Sequence, residues 1–396
     1  MARDASLRKL EDCDARPVGT ARVRARIRRL TLSDFRSYER LDIEFDGRPI
    51  ALSGRNGAGK TNILEAISLI GPGRGLRSAR LDELPRIGGA GGWAVAARLE
   101  DELGEKSLGV GALASDRARR VCRIDGAASS GPSAFADHLR FLWLTPAQDR
   151  LFMEGASERR RFLDRMTLAH DPAHGEAANA YETAMRQRQR LLDERSRDEA
   201  WLAALELKMA EAGVALAAAR REMASALTAA GVSEDGGAFP AAEIALEGVL
   251  EALLANAPAA DVEDEYAGLL RKNRRVDAEA GRALSGPHRS DLLVTHRAKG
   301  RAARLCSTGE QKALLIGLIL ANARALSMRS GAAPLILLLD EIAAHLDEAR
   351  RAALFDILDE LGFHCFMTGT DASLFEAWGS RAQGFELKDG AAVELQ

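Results

Sequence analysis

The chain has 396 residues, 46% of them hydrophobic, with 55 Lys plus Arg against 58 Asp plus Glu and a net charge of −3. That is apolar material for one large domain or two ordinary ones, and a balance so near neutrality excludes a generally basic nucleic-acid coat, so any polyanion has to be met by a local patch. Cys13, Cys122, Cys306 and Cys365 show no CxxC spacing, which argues against a zinc site or a disulfide framework, and no apolar run reaches membrane-spanning length; a reduced, cytoplasmic protein is the expectation.

In chain order, residues 1–26 are Arg-rich without an apolar h-region, so a disordered leader is expected there and not a secretory signal. From Ile27 short β-favourable runs separated by turn residues predict strands: IRRLTLSDF, YERLDIEF and PIALSG. After a Gly-rich section from Gly71 to Gly92 come WAVAARLE, SLGVGAL, RVCRIDG and FLWLTP. From about Ser157 the composition turns to Ala, Arg, Glu and Leu, which predicts long helices, with AEIALEG the exception. Within it Leu202, Leu205, Met209, Ala212, Leu216, Ala219, Met223 and Ala226 recur three and four apart. So short a seam, with small residues in half its positions, suits an antiparallel helix pair inside a compact lobe. Strand-like text returns from Leu284 with SDLLVTHR, PLILLLDE and FHCFMTGT. The expected fold class is α/β: a discontinuous domain of residues 27–156 and 284–396, with a mainly α-helical lobe, residues 157–283, inserted in it.

Chemistry concentrates first in PIALSGRNGAGKTNILEAISLI. Here Gly54, Gly59, Lys60 and Thr61 satisfy G-x-x-x-x-G-K-[ST] between a strand and a helix. Glycines let backbone N–H groups close around phosphate oxygens, and the following helix aims its positive end at the same anion. Gly54, Arg55, Asn56, Gly57, Ala58, Gly59 and Asn62 would then frame the phosphates of ATP. Lys60 would reach the β- and γ-phosphates, and the Thr61 hydroxyl would ligate Mg²⁺. The second stretch, PLILLLDEIAAHLD, starts with an aliphatic run suited to a strand buried on both faces. Asp340, at its carboxyl end, is placed to hold Mg²⁺ through water, and Glu341 to orient or deprotonate an attacking water.

A third stretch, CSTGEQKALLIGLILANARAL, is a Ser-Thr-Gly turn running into an apolar helix, with no neighbouring base that would make Ser307 a nucleophile. With the phosphate loop and the Asp-Glu strand end, this turn resembles the signature set of the ABC-type ATPases. The resemblance implies that Ser307 and Gly309 bind the γ-phosphate held by a second copy of the head. Unpaired N–H groups at a helix start are suited to that task. The long interval from Thr61 to Ser307, filled by a helical lobe, is unlike a transporter subunit. So is MTGTD, which puts Thr368-Gly369-Thr370 where transporters usually carry a switch His. A transporter-type ATPase subunit is nevertheless the alternative reading, and a condensin-like head, which needs longer heptads, a third.

Within that superfamily the chain, from about Ile27 to its C-terminus, is similar to the RecF family of DNA replication and repair proteins. The matching text is LTLSDFRSYERLDIEF, GRNGAGKTNILEAISLI, LTPAQDRLFMEGASERRRFLDRM, YAGLLRKNRRVDAEAGRALSGPHRSDL, CSTGEQKALLIGLILA, LLLDEIAAHLD and MTGTD. This resemblance implies an ATP-dependent homodimer that clamps double-stranded DNA at gaps. It also implies slow ATP hydrolysis, and cooperation with RecO and RecR in loading the RecA recombinase. Gln148, where the family usually has an acidic residue, stands in a place suited to the Q-loop glutamine that meets nucleotide and Mg²⁺. Asp347 of AHLD keeps the aspartate of the D-loop, and Arg36 of FRSY is placed to contact nucleotide. Candidate DNA contacts are Arg159, Arg160, Arg161 and Arg165, then Arg186, Arg188 and Arg190, then Arg271, Arg274 and Arg275. Arg161 and Arg165 are one helical turn apart and could face the same way. Without interleaved aromatics, these runs suit duplex phosphates better than single-strand stacking.

Overall fold

A computed structural model describes residues 25–102, 104–195, 198–231, 237–329 and 333–395. The leader read at residues 1–26 lies outside the described residues except for Ala25, which is buried, and Arg26, which opens the first strand. The first stretch of chain forms β1 (Arg26–Phe35), β2 (Tyr38–Glu44), β3 (Ile50–Ser53), α1 (Lys60–Ser68), β4 (Trp93–Asp101), β5 (Gly104–Leu113), β6 (Asp116–Ile124), β7 (Ala127–Ala128) and β8 (Arg140–Leu144). The middle forms α2 (Ala156–His170), α3 (Ala173–Asp193), α4 (Glu199–Ala230), β9 (Ala242–Glu247), α5 (Val249–Leu253), α6 (Ala259–Lys272) and α7 (Arg274–Ala280). The last part forms β10 (Asp291–His296), β11 (Arg301–Ala302), α8 (Thr308–Ser327), β12 (Leu335–Leu339), α9 (Glu348–Leu361), β13 (His364–Gly369), β14 (Gln383–Lys388) and β15 (Ala391–Glu394).

Two six-stranded sheets enclose α1. One is antiparallel, in the order β2-β1-β4-β5-β6-β7. Its period-2 text turns Trp93, Val95, Ala97 and Leu99 inward and leaves Ala94, Ala96 and Arg98 outside. The other runs β15-β14-β3-β13-β12-β8 and is parallel except for its edge strand β15. Ile336 and Leu338 of β12 face Ile63, Leu64 and Ile67 of α1 on one side. Leu335, Leu337 and Leu339 pack on the other side with Leu314, Leu318 and Leu354 of α8 and α9. Burial on both faces is why this strand reads as an unbroken aliphatic run. β14 and β15 go beyond the strands expected from the sequence, although β14 pairs directly with β3, the strand that feeds the phosphate loop.

The helical insertion holds its own hydrophobic cluster, including Tyr181, Leu202, Leu205, Met209, Leu216, Val262 and Tyr266. α3 and α4 run antiparallel: Arg188 reaches Glu206, while Tyr181 lies beside Gly213 farther along. α4 has 32 residues, about 48 Å at 1.5 Å per residue. Its first half belongs to the lobe, while Met223 and Leu227 join the core around α8. Phe162, Leu163 and Met166 of α2 are buried in that same core, and β9 is hydrogen-bonded to β10. α2, α4 and β9 thus carry the packing from head to lobe.

Candidate nucleotide site

The parallel register brings several carboxyl ends to one edge. Ser53 pairs with Gly369, Leu339 with Met367 and Leu339 with Leu144. The residues that follow β3, β12, β13 and β8 therefore emerge side by side, where open α/β sheets place their ligands. Gly54 has φ +148°, and a Cβ there would lie 2.7 Å from the Leu387 carbonyl oxygen of β14. Gly59 has φ +98°, and a Cβ there would collide with the hydroxyl of buried Tyr38. Both positions demand glycine. Arg55, Asn56 and Gly57 are exposed at the rim, Ala58 and Asn62 half-buried.

Lys60, the first residue of α1, is buried with its Nζ donating to the carbonyls of Gly54 (2.6 Å) and Arg55 (3.1 Å). Burial lowers its pKa, opposed by the charges of Glu341 and Asp340. An ammonium curled over its own loop, at a helix N-terminus ringed by N–H groups, is the chemistry of an anion site. Beside it the Thr61 Oγ1 lies 3.0 Å from both carboxylate oxygens of buried Asp340. Asp340 is held from behind as well, since Thr368 Oγ1 donates to its Oδ1 at 2.7 Å and the Glu341 N–H donates to Thr368 Oγ1 at 2.9 Å. Glu341 has φ +55°, a left-handed conformation uncommon outside glycine. In the sequence Thr368 stands out only as part of the segment in the switch position. The signal that could have singled it out is the polar side chain at the carboxyl end of a strand adjoining the aspartate strand.

Other predicted residues bond to their own neighbours. Gln148 closes the turn after β8, where its Oε1 accepts the Thr145 N–H at 2.9 Å. The Arg36 guanidinium is turned onto the carboxylate of Glu65 in α1, at 2.9 and 2.7 Å, and Arg77 meets the same carboxylate at 3.0 Å. Arg77 and Ser37 also hold the Asn62 amide, at 2.9 Å each. Arg36 and Arg77 thereby brace α1 through a buried Glu65.

Ser307 caps α8 in a reciprocal capping box with Glu310: Ser307 Oγ accepts the Glu310 N–H at 3.4 Å, and the Ser307 N–H donates to Glu310 Oε2 at 2.8 Å. Lys299 on Glu310, together with the Ser307 donors, pulls the Glu310 carboxyl down to about 2. Ser307, Thr308 and Gly309 are exposed, so the positive end of α8 faces outward. Lys312 is paired with Asp149 at 2.8 Å, tying α8 to the turn that carries Gln148. Asp347 is exposed and caps α9 by accepting the Arg350 N–H at 2.8 Å.

The candidate DNA arginines divide sharply. Arg159 forms two 2.7 Å bonds to Asp291, and Arg160 donates to the Ser290 carbonyl at 2.6 Å. Arg165 does not share a face with exposed Arg161: it packs over the rings of Trp143 (4.6 Å) and Phe162 (5.3 Å) and donates to the Trp143 carbonyl. Arg188 is buried between Glu206 and Asp277, and Arg274 joins the same Glu206. Arg161, Arg186, Arg190, Arg271 and Arg275 are exposed; Arg161, Arg190 and Arg275 carry local helical ion pairs. A groove of about 1530 Å³ lies beyond the far end of α1, lined by Leu69, Arg74, Arg117, Arg120, Leu168 and Asn179 among others, and Gly54–Asn62 do not line it.

Residues 26–383 match the family described as the RecF/RecN/SMC N terminal domain. The DNA replication and repair protein RecF of Rhizobium leguminosarum bv. trifolii is 51% identical over 369 residues, covering 92% of this chain and 98% of that protein. RecF of Mesorhizobium japonicum is 52% identical over 367 residues, covering 92% and 96%. Among solved structures, the recombination mediator protein RecF-ATPrS of the RecFOR pathway superposes with TM-score 0.80 at 23% identity, covering 95% of this chain and all of that one. An Smc head domain from Pyrococcus furiosus gives 0.52 at 17%, covering 94% and 96%. The fold is the SMC-like ABC ATPase head with a helical insertion, and the chain belongs to the RecF family of DNA replication and repair proteins.

Proposed function

We propose that the chain is a slow, DNA-binding ATPase whose catalytic unit forms only when two copies meet across ATP. The carrying observation is the convergence of buried Lys60, the Thr61 hydroxyl and the Asp340 carboxylate at the mouth of the glycine loop, with Glu341 next in sequence. Lys60 and the N–H groups of Gly54 to Asn62 bind the triphosphate, and Glu341 orients and deprotonates the attacking water. Among the described residues no group of three or more His, Cys, Asp or Glu is arranged to hold a metal ion. A magnesium ion accompanying ATP would be held by Thr61, Asp340 and Gln148, and would neutralise phosphate charge. Gln148 would join it through the Oε1 that now accepts the Thr145 N–H.

Ser307 and Gly309 lie on an exposed helix start, and a second copy's γ-phosphate is the anion that suits them; Asp347 belongs to the same joining surface. Arg36 supports the site through Glu65. Duplex DNA, gapped DNA included, is met by the exposed Arg161, Arg271 and Arg275. RecR and RecO are the partners that RecF membership suggests, in loading RecA in the cytoplasm. Two substitutions test the reading. Lys60→Ala abolishes ATP binding, whereas Ser307→Arg keeps it and loses ATP-dependent dimerisation on size-exclusion chromatography. Equal loss of binding in both variants removes the in-trans role.

A further inference from the structure

Resting on the nucleotide-site reading above, we infer that Thr368 is the positioning residue that locks Asp340 and Glu341 into one working orientation. Its direction of bonding is fixed by elementary chemistry. An amide N–H can only donate, so Thr368 Oγ1 accepts from Glu341 at 2.9 Å, and its own proton goes to Asp340 Oδ1 at 2.7 Å. One hydroxyl therefore grips the carboxylate of one residue and the backbone of the next. Glu341 needs that grip because a residue with a β-carbon is held there at φ +55°. The strand register supplies it: Met367 pairs with Leu339, so Thr368 comes up beside Asp340 with its side chain fully buried.

Burial also defines what Thr368 does not do. With no exposed surface, it acts through its neighbours and not on the nucleotide. Asp340 receives hydroxyls from Thr61 on α1 and from Thr368 on β13. When the Thr61 oxygen turns its lone pairs towards a cation, Thr368 remains as the donor that keeps the carboxylate aimed.

The test compares Thr368→Val, which keeps the shape and deletes the hydroxyl, with Thr368→Ser, which keeps the hydroxyl. Three readouts are taken on the full chain: amide hydrogen exchange at Glu341 without nucleotide, ATP affinity without magnesium, and turnover across a magnesium titration. In Thr368→Val the Glu341 amide exchanges faster and magnesium-free affinity stays within about twofold of the parent. Its half-saturating magnesium rises and its turnover falls by about tenfold or more. Thr368→Ser restores all of these. Should Thr368→Val not fold, Thr368→Ala carries the same comparison. Parental exchange and magnesium dependence in the hydroxyl-free variant, or a serine variant as impaired as the valine one, overturns the assignment. Failure of the nucleotide-site reading shows earlier, as a parent protein that does not bind ATP.

Discussion

The hydroxyl of Thr61 lies 3.0 Å from each carboxylate oxygen of Asp340, across a sequence separation of 279 residues. The bond joins the first turn of α1 to the end of β12, so a single contact closes the phosphate loop against the acidic strand end. Glu341 follows on the same rigid support, with its backbone clamped by Thr368.

If Glu341 is the base proposed above, Glu341→Gln removes it and leaves the shape of the site intact. It is expected to bind ATP normally, accumulate as an ATP-bound dimer, and turn over about a hundredfold more slowly or less. Asp340→Asn also slows turnover, but leaves the two threonine hydroxyls without an anionic acceptor, so its magnesium requirement shifts too. Steady-state phosphate release across a magnesium series, with light scattering for dimer mass, separates the two. Unchanged turnover in Glu341→Gln would rule that residue out as the base.

The phosphate loop and β12 were legible because each imposes a pattern that few other structures need: glycines where φ is positive, and an aliphatic run where both faces are covered. What stayed hidden was direction. A run such as SERRRFLDRM does not say which arginine points inward, and Arg165, Arg188 and Arg274 are claimed by Trp143, Asp277 and Glu206 from distant parts of the chain. Arg36 likewise bonds to Glu65, a neighbour that only the folded chain supplies, whereas the Gln148 bond to Thr145 is a local capping box of the TPAQ type. β14 escapes sequence reading because QGFELK is short and opens on a buried polar Gln383 followed by glycine. Its parallel partner β3 lies far upstream, and the local signal that could have found β14 is Asp389-Gly390, both at positive φ, which turns it back onto β15.

Stability should fall as pH drops below neutrality, with His364 a main reason. It is fully buried; its Nδ1 accepts the Ile27 N–H at 3.1 Å, so its Nε2 must donate to the Arg48 carbonyl at 3.2 Å. That arrangement requires the neutral ring. Burial pushes its pKa down from 6.5 to about 3. The unfolded chain takes up this proton near the ordinary value while the folded chain refuses it, so stability is lost progressively from 6.5 down towards 3. Each unit of that window contributes ~1.4 kcal/mol. His364→Gln keeps an acceptor and a donor without titrating. Its denaturation midpoint should therefore fall less steeply than the parent's between neutral and mildly acidic pH, and parallel curves would refute the assignment. Burial also lowers His170 and His288, so the slope flattens and does not vanish.

Arg188 and Arg161 make the opposite prediction to each other, although the sequence offered both as DNA contacts. Arg188 holds Asp277 at 2.8 Å, Glu206 at 3.1 Å and the Leu270 carbonyl at 2.6 Å, all inside the lobe. Arg188→Met leaves buried Asp277 without its cation, while Glu206 keeps Arg274, and should cost about 3–5 kcal/mol in chemical denaturation. It should leave unchanged the salt dependence of DNA binding measured on the folded fraction. Arg161, Arg271 and Arg275 are exposed, and the local pairs of Arg161 and Arg275 with Glu158 and Glu279 contribute little to stability. Replacing these three with Gln should leave the unfolding midpoint nearly unchanged while weakening duplex binding. For every DNA phosphate that an arginine no longer neutralises, the slope of log affinity against log salt becomes shallower by about 0.9. A triple variant with the parental salt slope would clear these three arginines of DNA contact, because a screened, exposed charge has no other route by which to alter that slope.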